Sequence, residues 1–415
     1  MSRDHHFNMF NRSALYLLCC FSVCLMTCSK KLKVTRITSV DQIITKKTVQ
    51  NLDYRCNYNL AYAPYPEDEY LFLNQQLRLN FHFLNTKDGG YNFNQEEAGS
   101  IVKQLIRNAN LRLKSNHQMK LPVGNNTTVC SPMYQYVLAS QEGDSGIYFH
   151  ADDDLCFFAN KGKHRNNYTT KVIEEYAIGL DSIINVFFMP HIPEKMRDEK
   201  YKVTQTGVAL GNGLKIAGFY ESQKKPWEIA TLLNHEIGHI LSLRHSWNTN
   251  DGCDDTPRNP NCWSSKAGGA CEVASNNVMD YNNSQMAWTP CQLGQIHRQF
   301  NAINSSQREL LIPNWCHLNP QPIMINGQTI WEGAKDLNAS IHILKDSELT
   351  IRCRLHLAKG AKIIVEPGAS LILDDCRIHN DCGDHWSGIE VLSKGKLAGQ
   401  IIKMGDVSLE NVISD

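Results

Sequence analysis

Leu77, Leu79, Phe81 and Phe83 alternate with Arg78, Asn80 and His82. This period of two predicts a strand with one buried face. Asp88-Gly89-Gly90 reads as a turn. Asn94 then caps a helix whose first turn carries Glu96 and Glu97, and Ile101, Val102, Leu105, Ile106 and Ala109 follow at helical spacing. Residues 147–150, 155–158 and 183–189 are short β-type runs. Residues 207–218 hold four glycines and read as a loop or an irregular edge strand. Pro226-Trp227-Glu228 opens a second long helix, predicted to run through Leu241, with Ile229, Leu232, Leu233, Ile237, Ile240 and Leu241 as its apolar lining. The pattern predicts an α+β unit of strands packed against two long helices. After about Cys316 the texture changes. Leu355-x-Leu357, Ile363-x-Val365 and Leu371-x-Leu373 are alternating pairs separated by Lys359-Gly360 and Pro367-Gly368 turns. Short strands at a regular period predict a stack of β-coils, with a small β-sandwich as the alternative.

The 415 residues exceed one ordinary core. Forty-two Lys plus Arg balance 42 Asp plus Glu, so net charge steers the chain toward neither nucleic acid nor an anionic membrane. The start differs in composition. Arg3 and Arg12 give a basic start to an apolar run over 13–27, too short to span a bilayer comfortably as a helix, that ends at Cys28. This resembles a bacterial lipoprotein signal, in which the cysteine carries the lipid after cleavage. Plain secretion and a retained membrane helix are the alternatives. Residues 1–28 are therefore expected to be a signal segment. A lipid on Cys28 would be the one tie to the outer membrane, and the chain would work outside the cytoplasm, at the cell surface or secreted. Residues 29–70 are polar and poorly periodic and read as a prosegment or linker. The main folded unit is expected over 71–316 and the β-coils over 317–415.

Cys19, Cys20, Cys24 and Cys28 belong to the leader, and eleven cysteines remain. In an oxidising compartment most should pair, and the odd count leaves at least one over. Cys253, Cys262, Cys271 and Cys291 allow three pairings that spacing does not separate.

His235-Glu236-Ile237-Gly238-His239 is the sharpest chemical signal. Residues four apart share a helix face, so both imidazoles can reach one metal. Glu236 sits on the adjoining face, placed to take a proton from an attacking water. His245 follows six residues after His239. The helix must end and the chain turn back for it to become a third ligand. Three protein ligands leave the fourth position open, as a catalytic zinc requires.

The run His235-Glu236-x-x-His239 with His245 resembles the extended zinc signature of the metzincin clan. Asn277-Val278-Met279-Asp280-Tyr281 resembles the methionine turn of that clan. With Cys253-Asp254-Asp255-Thr256-Pro257 and Trp288-Thr289-Pro290-Cys291, the chain is most similar to the pappalysin family of zinc proteases over roughly 71–316. The resemblance implies a mixed twisted sheet with two long helices and peptide-bond hydrolysis. It also implies zinc on His235, His239 and His245, Glu236 as base and proton shuttle, Met279 as the floor of the site, and Tyr281 as a weak ligand or oxyanion donor. It favours the pairs Cys253 with Cys271 and Cys262 with Cys291. The family usually has glycine where Ser242 stands, and a serine in a left-handed conformation costs about 1 kcal/mol.

Three further expectations follow. Pappalysin relatives bind calcium near such a loop, so Asp251, Asp254, Asp255 and Thr256 offer oxygens for that ion, with a solvated turn as the alternative. Cys56 could hold a latent zinc through its thiolate, as metzincin proenzymes do, or pair with Cys130 or Cys156. The segment GAKIIVEPGASLILDDCRI resembles rungs of a right-handed parallel β-helix, here short or incomplete. The function expected is a zinc endopeptidase, monomeric, with peptide or protein substrates and no nucleic acid. The competing function is a surface adhesion or glycan-binding β-helix with a residual, inactive protease fold.

Overall fold

The computed structural model describes residues 31–46, 56–193, 205–247, 250–258, 262, 271, 273–282 and 284–413. The leader and Cys28 lie outside the described residues. No helix among these is long and apolar enough to cross a membrane.

Two short strands come first, β1 (Leu32–Ile37) and β2 (Ile44–Lys46). Then β3 (Gln75–Asn85) leads into helix α1 (Gln95–Lys114). The Asn94 side chain accepts from the Glu96 and Glu97 N–H groups, and Glu97 returns the bond to the Asn94 N–H. Ala98, Val102, Leu105, Ala109 and Leu113 form its buried stripe. Strands β4 (Tyr134–Leu138) and β5 (Ile147–Ala151), helix α2 (Lys171–Tyr176), and strands β6 (Ile184–Met189), β7 (Thr206–Leu210) and β8 (Gly213–Ala217) follow. Helices α3 (Pro226–Ile240), α4 (Pro290–Phe300) and α5 (Ser306–Glu309) complete this part.

The first sheet runs β4-β3-β6-β8-β7, with β5 also on β3. All pairings are parallel except β7 on β8, which puts an antiparallel strand at the edge. Helices α1 and α3 cover one face, sharing Leu79, Phe81, Val102, Leu105, Leu214, Ile216, Leu233 and Ile237 in one core. The expected half-buried β3 is buried on both faces. His82 stacks on Phe187 and Tyr148, and its ring nitrogens meet His150 at 2.9 Å and Asn185 at 2.9 Å. Burial lowers its pKa to about 4, so it is a neutral core group. The run 155–158 is not a strand. Asp152 accepts from the Asp154 and Leu155 N–H groups, so the chain turns, and Phe158 makes only an isolated bridge to His191.

The C-terminal strands are β9 (Asn319–Ile325), β10 (Gln328–Trp331), β11 (Lys335–Leu337), β12 (Ala339–Ile343), β13 (Glu348–Leu357), β14 (Ile363–Val365), β15 (Ser370–His379), β16 (Ile389–Lys394), β17 (Leu397–Ala398), β18 (Gln400–Met404) and β19 (Ser408–Leu409). The chain passes back and forth between two sheets. One holds β9, β12, β14 and β16, and the other β10, β13, β15 and β18, each strand parallel to its neighbour from the pass before. Neither sheet closes. Ile341, Ile343, Leu349, Ile351, Ile363, Val365, Leu371 and Leu373 point between them.

Residues 29–70 do not behave as a coreless linker where they are described. Strand β1 pairs antiparallel with β16, and β2 pairs parallel with β18, so this segment supplies the last strand of each C-terminal sheet. Ile37 and Ile43 are buried in that core. The pairing is long-range, and a local hydrophobic pattern carries no trace of it.

Among the described residues four disulfides form: Cys56–Cys353, Cys253–Cys291, Cys262–Cys271 and Cys316–Cys382. The expected Cys253–Cys271 and Cys262–Cys291 pairs are replaced. The Asp255 carboxylate accepts from Thr289 Oγ1 and the Cys291 N–H, so its turn sits on the start of α4 and brings Cys253 to Cys291. Cys56 is joined to Cys353, a partner in the C-terminal sheets, and so is neither a free thiolate for the metal nor paired with Cys130 or Cys156. Those two and Cys376 are buried thiols.

Candidate active site

Helix α3 carries the two-histidine motif. Pro226 stands in its first turn and Glu228 accepts from the Lys225 N–H. The helix ends in a tight reverse turn. Ser242 N–H bonds His239 O at 3.0 Å and Leu243 N–H bonds Gly238 O at 2.9 Å. This is the paired 5→2 and 6→1 pattern of a left-handed C-cap. Ser242 adopts it at φ 76°, and Gln295 donates to its carbonyl at 2.8 Å. Ser242→Gly should therefore raise stability by about 0.5–1 kcal/mol and Tm by roughly 2 °C, after the added freedom of the unfolded chain is subtracted. Thermal unfolding measures this. A lower Tm would mean that the serine side chain makes a contact that outweighs its backbone strain.

The turn delivers His245. The Nε2 atoms of His235, His239 and His245 form a triangle with edges of 3.2, 3.1 and 3.3 Å. Tetrahedral zinc with Zn–N of about 2.0–2.1 Å needs N···N separations of about 3.3 Å. The outer ring nitrogens fix the tautomers. His235 Nδ1 donates to Val278 O at 2.7 Å and His239 Nδ1 donates to Leu243 O at 2.9 Å. Both Nε2 lone pairs thus face the same point, which is unfavourable without a cation there. Burial is the first cause holding these rings neutral, with the neighbouring imidazoles adding to it at two of them. The pKa of His235 falls to about 3, that of His245 to about 4, and that of His239 is also lowered. The donor set fits a divalent metal that favours imidazole.

Glu236 lies beside the triangle and under the edge strand. Its Oε2 accepts from the Ala209 N–H at 3.1 Å. A Cβ on Gly207 would stand 2.5 Å from Glu236 Cγ, so only glycine lets β7 lie this close. Burial pushes the Glu236 carboxyl up to about 7, against the lowering effect of the Ala209 N–H. This carboxyl is poised to exchange protons near neutral pH.

Met279 is fully buried beneath α3, and its Sδ sits 2.5 Å from where a Cβ on Gly238 would be. Gly238 thus lets the methionine turn close under the two ligand histidines. Asp280 ties that turn to the third ligand's loop, accepting from Ser246 Oγ at 2.6 Å and Ser275 Oγ at 2.5 Å. Gln285 donates to Val278 O at 3.0 Å and Asp280 O at 2.9 Å. Tyr281 stands half-exposed, its ring 4.7 Å from that of His245.

The fold brings together His235, Glu236, His239, His245, Met279 and Tyr281. It leaves Cys56 out, and it gives the acidic loop other work. Asp251 accepts from the Cys253 N–H and Thr256 Oγ1, while Asp255 caps α4. Among the described residues, Asp251, Asp254 and Asp255 form no common metal-ligating cluster, so the expected calcium gains no support. Gly207 and Gln285 carry no chemical signal in the sequence, and Gly238 and Asp280 stand there only as places within quoted motifs, with no role assigned. Their role depends on what packs against them.

The sequence model of the peptidase M43 family, described as pregnancy-associated plasma protein-A, matches residues 203–304. That span contains the whole His235–Tyr281 constellation. Over these residues the chain is similar to a family of metalloproteases. Two solved structures show a likeness to this chain. One is mature mirolysin of Tannerella forsythia in complex with a cleaved peptide, 17% identical over 57% of this chain and 95% of that one, with a TM-score of 0.41. The other is mirolysin in complex with a compound, 18% identical over 57% of this chain and 96% of that one, with a TM-score of 0.40. No curated protein matches the chain. A metalloprotease of this family acts on peptide or protein substrates and uses a catalytic metal, usually zinc.

Proposed function

We propose that this protein is a zinc-dependent endopeptidase that works outside the cytoplasm. The observation that carries the reading is the Nε2 triangle of His235, His239 and His245 beside a buried, protonatable Glu236. Zinc held there would supply Lewis acidity to the attacking water and the scissile carbonyl. The chain's own residues do the rest. Strand β7 is a sheet edge, and an extended substrate would lie along it as an added strand. Glu236 takes a proton from the attacking water and passes it to the leaving amine. Tyr281 stands at the mouth, placed to donate to the developing oxyanion. The Met279 turn holds the floor. Four disulfides suit an oxidising compartment, in keeping with export through residues 1–28. We read the alternating parallel strands of the C-terminal part as a short β-helix.

Elemental analysis and cleavage of an unfolded protein test this together. The expected result is about one zinc per chain, activity abolished by a chelator and restored by added zinc. A purified chain that takes up no zinc and cleaves nothing after zinc is supplied would remove the reading.

A further inference from the structure

Strand β8 serves two faces of its sheet. Leu214 and Ile216 enter the core shared with α1 and α3, and Lys215 between them points to the opposite face. On that face Val172, Phe187 and Met189 belong to a separate apolar cluster. Beside it lies a hollow of about 820 Å³, a size suited to a small molecule. None of His235, Glu236, His239, His245, Met279 and Tyr281 lines it. Leu155, Phe157 and Ile192 do, each only half-buried, so apolar surface faces the space.

The charge around this hollow is mostly of one sign. Lys215 lines it and is 1% exposed. Its ammonium donates to Asn166 O and Thr169 O, each at 2.7 Å. An ammonium has three N–H groups, and these bonds leave one over. Burial lowers its pKa to about 8, and no charged group acts on it in the other direction. A buried cation without a counter-charge is costly, and an anion in the hollow would offset that cost. His164, Arg165 and Lys171 line the same hollow from exposed positions. Arg165 is held there, its Nε donating to Asn167 Oδ1 at 2.9 Å and its guanidinium lying over the Tyr168 ring at 5.0 Å. Asp154 is the one carboxylate among the described lining residues, and it is outnumbered.

We propose that this hollow is a binding site for a small carboxylate with an extended apolar body, the chemistry of a medium-chain fatty acid. The head meets Lys215, with Arg165 and Lys171 adding attraction from the rim, and the body lies along Leu155, Phe157 and Ile192. The site is on the sheet face away from Glu236, and it does not rest on the endopeptidase reading. The buried cation sets the preference for a carboxylate over a neutral head, about 10- to 100-fold in Kd. The exposed cations contribute less, about 3- to 10-fold each, and their share shrinks as salt rises.

Titration calorimetry of the zinc-loaded full chain with octanoate, octanol, octylamine and acetate tests it. Octanoate should bind tightest, octanol more weakly, and octylamine and acetate weakest of all. Lys215→Met should bring octanoate down to the level of octanol. A loop that merely collapsed without its lysine would lose both ligands alike, and that result overturns the role given to the charge. Arg165→Glu and Lys171→Glu, both at exposed positions, should weaken octanoate and leave octanol unchanged. Octanoate bound equally well by the parent and Lys215→Met would place the carboxylate elsewhere, on the zinc for instance, and overturns the proposal. So does a parent that binds no octanoate. If Lys215→Met does not fold, the two rim variants decide, and an octanoate affinity unchanged in both counts against the site.

Discussion

Glu236→Ala should keep about one zinc per chain and lose about 10²- to 10⁴-fold in kcat. The separation follows from the contacts. Among the described residues no imidazole is hydrogen-bonded to the Glu236 carboxylate, which accepts from the Ala209 N–H. The ligand rings are held instead by Val278 O and Leu243 O, and the third ligand's loop by Asp280 through Ser246. Removing the carboxylate leaves all three supports in place. What disappears is the group that can take a proton at the edge of the triangle. Glu236→Gln sharpens the test. An amide oxygen still accepts from the Ala209 N–H and fills the space under Gly207, but it cannot carry the proton. It should be nearly as inactive as the alanine variant. Zinc content by elemental analysis, with kcat on one unfolded substrate, measures both. A glutamine variant within a few-fold of the parent would mean that Glu236 only props up β7, and another base would have to be found.

The parts of this site that act through residue type and local spacing were legible in the sequence. Two imidazoles four residues apart on a helix, with a carboxylate beside the first, suggest a metal site and a base, and His245 adds weight to the suggestion. Ser242 raised a doubt about the turn, yet the fold places that serine left-handed and His245 still arrives. The strain is about 1 kcal/mol, while Leu243 N–H, Ser242 N–H and the Gln295 amide all bond across the turn. The strands β3 and β6 and the helices α1 and α3 were also legible, because their apolar periods are local. What was not legible depends on contacts distant in sequence. Gly207 and Gly238 matter only because Glu236 and Met279 fill the space of their missing side chains. Strands β1 and β2 sit in sheets built some 300 residues later. The Cys253–Cys291 pair goes with Asp255 capping α4, and four cysteines with three pairings do not reveal that.

Arg308→Leu should destabilise the protein by about 3–5 kcal/mol, the usual consequence of removing one partner from a buried ion network. Arg308, on α5, is nearly fully buried, and it pairs with Asp336 and, at 2.8 Å, with Asp381. It also donates to Phe300 O at 2.8 Å and lies over the Trp315 ring at 4.2 Å. Asp336 and Asp381 belong to the C-terminal strands and their turns, so one guanidinium joins that part to the protease part. Arg354 shares Asp336 at 2.6 Å, and His356 meets Asp381 at 2.8 Å. Burial alone would raise both aspartates. Arg354 and Arg308 outweigh it at Asp336, and His356 and Arg308 outweigh it at Asp381, so both carboxyls fall below their ordinary range. The sign is that of a depressed acid. The stabilisation is fully present above the unfolded pKa of about 4 and is lost as pH falls through the lower folded value. Leucine removes the Arg308 share of it at neutral pH and leaves the buried Asp336 and the partly exposed Asp381 each short of a partner. Arg308→Lys should cost less, since the charge stays, but one ammonium cannot serve Phe300 O and both aspartates in the same geometry. Urea unfolding at neutral pH ranks the three proteins. A leucine variant within about 1 kcal/mol of the parent would class the network with solvent-exposed ion pairs. The Cys56–Cys353 and Cys316–Cys382 bonds would then be what holds the two parts together, and reducing them should do what the mutation did not.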